Sequence, residues 1–451
     1  MKKFINICKQ NKKNIIIFSI IFLITLFFLY LYHPGILTYD SSIQWEEVLN
    51  DKVSNAHPFL STYFMYLLSK IYKSTDIVIL YQIILSSFTI TRIFNILRKD
   101  NTKFYKEIIA CVFICVFPLV CIYTITLWKD IIYSYYLLNI VISLYKWKKN
   151  NNEFKIYDYI ILSILFFAVF NYRINGMIVV PLIILYMIIS MKKTKTKKIN
   201  YAYLILPFII LNLILLIPKN YYLSKIEKTE EINIGSLNSY MVWIFGEYLH
   251  DEVKISEKDK KTLNNIANIE EWKNKYNGYL INYTTLMPIN KKYLLENQNK
   301  FRNIFIKTTL RNPVSFIKHY VKADSLMLIP YINSDIYSFD YVGWQQNKNV
   351  GNLQFISSNY QKLVSFTTEN KITGLIYRPA NVLYLSIILV YIINKLEKTK
   401  KYYIILLPML ANTISLIPIN IAQDLRYVYI NYLTFIFIII LYLNKIERKK
   451  Q

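Results

Sequence analysis

The sequence predicts an all-α membrane protein of about ten transmembrane helices with a mainly helical extracytoplasmic domain. Three observations carry this expectation. Ten apolar stretches recur along the 451 residues. Lys/Arg clusters fall in every second connection between them. One long polar segment, 218–378, interrupts the pattern. Lipid cannot hydrogen-bond an exposed backbone, so helices are the form such stretches take. The alternation that marks a membrane β-barrel is absent.

In chain order the apolar stretches are 14–32, 77–97, 108–125, 131–147, 157–170, 176–191, 201–217, 380–394, 402–421 and 427–443. Several reach the roughly 20 residues that cross a hydrocarbon core of about 30 Å. The stretches 131–147, 157–170 and 380–394 are shorter and need polar flanks at the interface, or a kinked or re-entrant piece. The first stretch has no small-residue cleavage site and reads as an uncleaved anchor. Residues 59–72 are apolar but too short to span, and read as a helix lying along the outer surface.

The basic clusters lie at 2–13, 98–106, 146–155, 192–198, 395–401 and 445–450. Positive loops stay on the cytoplasmic side, so both termini are expected on that side of the membrane, with segments 33–76 and 218–378 outside. The net charge of +26 would suggest nucleic acid in a soluble chain, but 26 of the 54 basic residues sit in these clusters. Topology and anionic membrane lipid explain them, and no nucleic-acid partner is expected. The four cysteines, Cys8, Cys111, Cys115 and Cys121, all lie outside segment 218–378, so no disulfide framework holds it.

Three regions follow: 1–217, with the outer loop 33–76; the outer domain 218–378; and the terminal helices 379–451. Within the domain, Ser256 and Asp259 are spaced as a capping box with Asp in place of Glu. Residues 291–311 carry apolar positions at near-helical spacing. Asn312 and Pro313 look like an N-cap and first helical position, opening 314–328. Residues 331–376, rich in Asn, Ser, Gly and Tyr, read as loops with short strands.

Away from the ends of the apolar stretches only Arg92 is charged, near enough to the cytoplasmic end to snorkel. The other charges near the membrane sit at outer ends: Asp40, Lys129, Asp130, Arg173, Arg378, Asp424 and Arg426. A transporter wants broken helices and polar groups at mid-membrane. Here all glycines lie outside or at the outer start of a stretch, so the site is expected at the outer surface. Asp40 reads either as the cap of a helix over 41–50 or as a functional carboxylate, with Gln44 one turn on. Glu46, Glu47 and Asp51 read as a solvated face. Lys129 and Asp130 fit ordinary interface charges as well as a site. Arg173 and Arg426 fit anchors on lipid phosphate, or bidentate partners of a substrate phosphate. His57 before Pro58 reads first as a helix entry, and no metal-ligand spacing occurs among the histidines. No P-loop, GxGxxG or GxSxG is present.

Taken in order, Tyr39-Asp40-Ser41-Ser42-Ile43-Gln44, Ala56-His57-Pro58, Thr126-Leu127-Trp128-Lys129-Asp130, Tyr172-Arg173-Ile174-Asn175-Gly176 and Asp424-Leu425-Arg426-Tyr427 form a pattern. It resembles the GT-C superfamily of polytopic membrane glycosyltransferases, in a bacterial branch with WKD, R-x-N-G and D-x-R-Y signatures. The resemblance implies a GT-C-like fold, with an outer soluble domain late in the chain. It implies a polyprenyl-phosphate-linked sugar donor and a glycan, lipid or protein acceptor at the outer face. It maps the catalytic residues onto Asp40 and Asp130. Gln44, His57, Lys129, Arg173, Asn175, Asp424, Arg426 and Tyr427 become the substrate-binding set. The paired acidic residues of several such families are missing, since Ser41 follows Asp40. No cofactor is therefore expected, and a divalent metal is not indicated. A carrier for a lipid-linked glycan, or a non-catalytic assembly component, is the competing expectation.

Overall fold

A computed structural model describes residues 11–52, 57–98, 103–193, 199–225, 235–330, 353–369 and 371–450. Among them there is no strand, only two isolated bridges, Ile36 with Thr126 and Leu280 with Ala422. The chain begins with α1 (Lys12–Leu31), α2 (Tyr39–Leu49), α3 (Phe59–Ser69), α4 (Asp76–Leu97) and α5 (Phe104–Val116). Then come α6 (Pro118–Thr124), α7 (Lys129–Lys149), α8 (Ile156–Tyr172), α9 (Gly176–Lys193) and α10 (Ile199–Ser224). Smaller helices follow: α11 (Ser236–His250), α12 (Glu257–Ile266), α13 (Ile269–Lys275), α14 (Ile281–Thr285), α15 (Lys291–Glu296), α16 (Gln298–Arg311), α17 (Pro313–Ala323) and α18 (Ser325–Leu328). The chain closes with α19 (Gln354–Glu369), α20 (Lys371–Gly374), α21 (Pro379–Leu396), α22 (Leu406–Leu416) and α23 (Tyr429–Lys450). Contacts divide it into two units. The first is 1–226, 339–415 and 425–451; the second is 227–338 and 416–424.

In the first unit six helical segments are long and apolar enough to cross a membrane, the mark of a multi-pass membrane protein. They are Lys12–Leu31, Asp76–Leu97, Asn200–Ser224, Pro379–Leu396, Lys401–Ile419, whose last residues the contact division assigns to the second unit, and Leu425–Glu447. A seventh is the pair α5 and α6, which bend 67° apart. The sequence pattern reads 108–125 as one stretch; the bend arises at Phe117-Pro118. Proline lacks the amide the helix needs and pushes Phe117 into extended backbone, φ −61 and ψ 121. The other apolar helices, α3, α8 and α9, are shorter.

α7 is too polar to count among them, yet most of its residues are buried, packed between α4, α8, α23 and the 3₁₀ turn Lys401–Ile405. A helix buried on all sides faces protein rather than lipid, so its polar residues find protein partners. Asn139 Nδ2 donates to Thr89 Oγ1 at 2.6 Å, and Tyr133 OH donates to Asn412 Oδ1 at 2.9 Å. Arg92 does not snorkel: its guanidinium donates to Asn139 Oδ1. Polar groups inside the helical bundle are thus richer than the sequence pattern suggests. α10 is the opposite case, almost wholly exposed along its apolar length.

The basic clusters meet at one end of this unit. Arg98 at the end of α4 pairs with Glu107 of α5 at 2.7 Å and donates to Asn14 Oδ1 of α1 at 2.6 Å. Lys106 pairs with Glu447 of α23. Lys445 pairs with Glu397 at 2.7 Å, Lys146 with Asp158 at 2.7 Å, and Lys401 donates to Asn151 at 2.9 Å. Of the first cluster Lys2, Lys3 and Lys9 lie outside the described residues, as do Lys99, Lys195, Lys197 and Lys198.

The second unit is built round α11. Phe245 and Tyr248 pack with Trp272, Leu294, Phe301 and Ile304 from three further helices. Ser256 caps α12 by accepting from the Asp259 amide at 3.2 Å, as expected. The expected run 291–311 is two helices separated at Asn297. Pro313 opens α17, but the Asn312 side chain turns back to the Thr308 carbonyl at 3.0 Å instead of capping it. The expected loop 331–376 is corrected in its latter part: 354–369 is helical and belongs to the first unit. There Tyr360 packs on Phe28 with ring centres 4.7 Å apart and donates to the Val116 carbonyl at 3.2 Å. Residues 331–352 lie outside the described residues.

Candidate functional site

Two motif segments are tied side by side before any functional group is placed. After α1 the chain turns at Gly35, whose φ of +100 is glycine territory and whose Cβ would lie 1.9 Å from Ile79 Cδ1. Ile36 can then donate to the Ile125 carbonyl at 3.0 Å and accept from the Leu127 amide at 2.9 Å. Gln82 of α4 fixes the partner segment through the Thr124 and Thr126 carbonyls at 3.1 and 2.8 Å. Trp128 Nε1 reaches Thr38 Oγ1 at 2.7 Å. The start of α2 and the start of α7 are thereby held together.

Thr38, not Asp40, caps α2. Its side chain and that of Ser41 form a reciprocal capping box, and the helix begins at Tyr39. The helix-cap reading of Asp40 is overturned, because a carboxylate already inside the first turn cannot serve as the cap. Asp40 and Asp130 each sit in the first turn of a helix, where the helix dipole favours a carboxylate. Arg426 links them: Nη2 is 2.9 Å from Asp40 Oδ2 and Nε is 4.0 Å from Asp130 Oδ2. Arg173 Nε approaches Asp130 Oδ1 at 2.9 Å from the other side. The ring of Tyr427 lies 4.9 Å from the Arg173 guanidinium and 5.2 Å from that of Arg426, with Trp128 5.1 Å from Arg426. Such faces hold a guanidinium by cation–π attraction.

The two carboxylates differ in access. The Asp40 side chain is 43 % exposed, whereas that of Asp130 is 2 % exposed between two guanidiniums. Asp40 can meet an incoming hydroxyl; Asp130 is an enclosed counter-ion that sets the two arginines.

Lys129 and His57 complete the cluster, with Nζ 3.3 Å from Nδ1. Burial, and then the Lys129 charge, push His57 down to about 4, so its ring is neutral near pH 7. A neutral ring that accepts at Nδ1 carries its proton on Nε2 and presents a donor there. Asn175 stands behind the cluster, buried, donating to Asn412 Oδ1 at 2.7 Å, while Asn412 donates to the Tyr427 carbonyl at 3.2 Å. Gly176 in the same motif is required by packing, since a Cβ there would lie 2.0 Å from the Val169 carbonyl oxygen.

Asp40, His57, Lys129, Asp130, Arg173, Arg426 and Tyr427 are therefore brought together, with Asn175 supporting them. Gln44, one turn on from Asp40, does not join this cluster. It is buried and donates to Ser61 and Thr62 of α3 at 3.1 and 2.8 Å, joining α2 to α3. Asp424 belongs to the second unit, where its amide donates to the Ala422 carbonyl at 3.0 Å. Trp128, Thr38, Gln82 and Asn412 were not expected. Only Trp128, inside the WKD run, carried a signal in the sequence.

No family model, curated protein or solved structure matches the chain. Function rests on the site itself.

Among the described residues one group gathers three potential metal ligands, Glu247, His250 and Asp251 of the second unit. Lys322 already binds both Glu247 oxygens at 2.7 and 2.8 Å, and Ser315 and Lys318 take Asp251 at 2.7 and 3.0 Å. Those carboxylates are neutralised by the protein itself.

Proposed function

We propose that this chain is an integral-membrane glycosyltransferase of the GT-C type, moving a sugar from a polyprenyl-phosphate donor to an acceptor at the outer face of a bacterial plasma membrane. The observation that carries the reading is one accessible carboxylate, Asp40, held by Arg426 beside a surplus of cations. A hydroxyl is a poor nucleophile until its proton is taken, and Asp40 is placed to take it. A lipid phosphate leaves with growing negative charge, which Arg426, Arg173 and Lys129 stabilise. The bond from acceptor oxygen to the anomeric carbon forms as the bond to the phosphate oxygen breaks. The proton goes to Asp40 and the electron pair to the phosphate. With no second nucleophilic carboxylate exposed beside Asp40 among the described residues, the displacement we propose is direct and inverts the anomeric carbon.

Meeting of the basic clusters at one end of the first unit supports placing that end in the cytoplasm, and the site at the outer face. Ten crossings then follow if α7, α8 and α9 also span, α7 inside the bundle where lipid never meets it.

The test is sugar release from a radiolabelled polyprenyl-phosphate donor by purified protein. Asp40→Asn keeps the shape, so melting stays unchanged while transfer falls about 10²–10⁴-fold. Equal transfer by the two proteins removes Asp40 as the base. Movement of intact donor across a bilayer without sugar release replaces the transferase by the carrier.

A further inference from the structure

α17 in the second unit carries apolar residues on two sides. Its inward side buries Ser315, His319 and Ala323, with Phe316 and Tyr320 packed on the unit's core. Its outward face carries Val314, Ile317 and Val321, which are 66 %, 59 % and 49 % exposed. The inward polar groups are accounted for: Ser315 donates to Asp251, and His319 shares a hydrogen bond with Tyr276 at 3.0 Å and lies edge-on to Trp243. Among the described residues nothing covers the outward apolar face. α16, joined to α17 through Asn312 alone, adds Ile306 and Leu310, exposed one turn apart. Scattered exposed apolar residues need no explanation, but an aliphatic row on a helix whose other side already packs on the core does.

Charge says what the face meets. From Gln298 to Ala323 there are six Lys/Arg and no Asp or Glu. Lys307 and Lys318 stand beside Ile306 and Ile317, with Nζ 3.4 Å from Asp259 and 3.0 Å from Asp251. Both lysines keep about half of their side-chain surface exposed, open to a further anion. Aliphatic residues rimmed by exposed cations are the signature of a helix lying in a membrane interface, its apolar side at the headgroup–acyl boundary and its cations among anionic phosphates.

We propose that the outward face of α16 and α17 docks on an anionic lipid bilayer, anchoring the second unit as a monotopic element. The proposal is independent of the catalytic reading.

The full-length protein in single-copy nanodiscs containing phosphatidylglycerol tests it. The environment-sensitive fluorophore NBD is placed at Ile317→Cys in a Cys8→Ser background, since Cys111, Cys115 and Cys121 are buried. Glu257→Cys, on α12 with a side chain 88 % exposed, is the water-facing control. The label at 317 is expected to shift to the blue and to be quenched by doxyl-labelled lipid, and that at 257 to do neither. Lys307→Gln and Arg311→Gln should each weaken docking about fivefold, and phosphatidylcholine discs should weaken it further. Val321→Cys takes the label if Ile317→Cys does not fold. Equal quenching at 317 and 257 overturns the proposal. So does a blue shift that appears only with two copies per disc, which would make the occupant a second copy of this chain.

Discussion

The two ends of the first unit both carry charge, and they use it differently. At the basic end the enclosed pairs are one to one: Arg98 with Glu107, Lys146 with Asp158, Lys445 with Glu397. These pairs join the ends of neighbouring helices and close on themselves, while Lys401 turns to the Asn151 amide oxygen. At the motif end three cations surround two carboxylates, and Asp130 is shared between Arg173 and Arg426. One cation is left over, and one carboxylate, Asp40, faces outward. Charge number alone would rank the basic end as the interesting one. Burial ranks the other first, because three enclosed cations on two carboxylates have capacity for an anion that a closed pair lacks.

The largest effect should come from unbalancing the motif end further. Asp130→Ala leaves two guanidiniums without their enclosed counter-ion, and breaking a buried pair this way costs about 3–5 kcal/mol. Thermal unfolding in detergent should show this as a clear loss, with Asp40→Asn melting like wild type. If Asp130→Ala also melts like wild type, the two arginines already have enough solvent or other partners, and Asp130 is not the pivot described above.

A smaller effect is expected at the basic end. Glu107 is buried and receives Arg98 through three short contacts of 3.0, 2.9 and 2.7 Å. Glu107→Gln keeps an acceptor but removes the charge, which should cost about 1.5–3 kcal/mol, the range for a hydrogen bond to a charged group. Lys106→Ala, in an exposed pair with Glu447, should cost less still. Neither should change sugar transfer per folded molecule. A transfer defect in Glu107→Gln at unchanged melting would mean that the two ends communicate and that the contrast between them is false.

Much of this contrast was legible in the sequence, for physical reasons. Positive clusters at alternate connections fix which helix ends go together, and the structure brings those ends into contact. The motif residues Asp40, Lys129, Asp130, Arg173 and Arg426 also converge, because each sits in the first turn of a helix or in the short connection beside a helix end. What was hidden is what depends on partners distant in the chain. Gln44 shares a helix with Asp40, but it is claimed by Ser61 and Thr62. Arg92 looked free to snorkel because Asn139 stands three helices later in the chain. The cap role went to Thr38, whose hydroxyl is positioned by Trp128 of another segment. α7 passed for a weak span because hydropathy measures lipid compatibility, and this helix meets protein on every side.

The smallest effect, and the one that separates the ends most cleanly, is acidification. His57 in the folded chain takes its proton only at about 4, against 6.5 for the free side chain. Between those values the unfolded chain binds a proton that the folded chain refuses. Stability is therefore full above pH 6.5 and falls as the pH drops toward 4. The ring is half-buried, so screening trims the loss to about 1 kcal/mol. Protonation also removes the acceptor that Lys129 uses and sets two cations 3.3 Å apart. No histidine lies at the basic end, since all four are His33, His57, His250 and His319. His319, pushed to about 3 by burial in the second unit, adds to the global loss over the same window but leaves the first unit's ends untouched. Hydrogen exchange at pH 7 and pH 5 should therefore show 57–69 loosening while 104–116 stays protected, and His57→Gln should abolish the difference. Loosening of 104–116 first, or an undiminished response in His57→Gln, would place the acid-sensitive contact somewhere other than the Lys129–His57 pair.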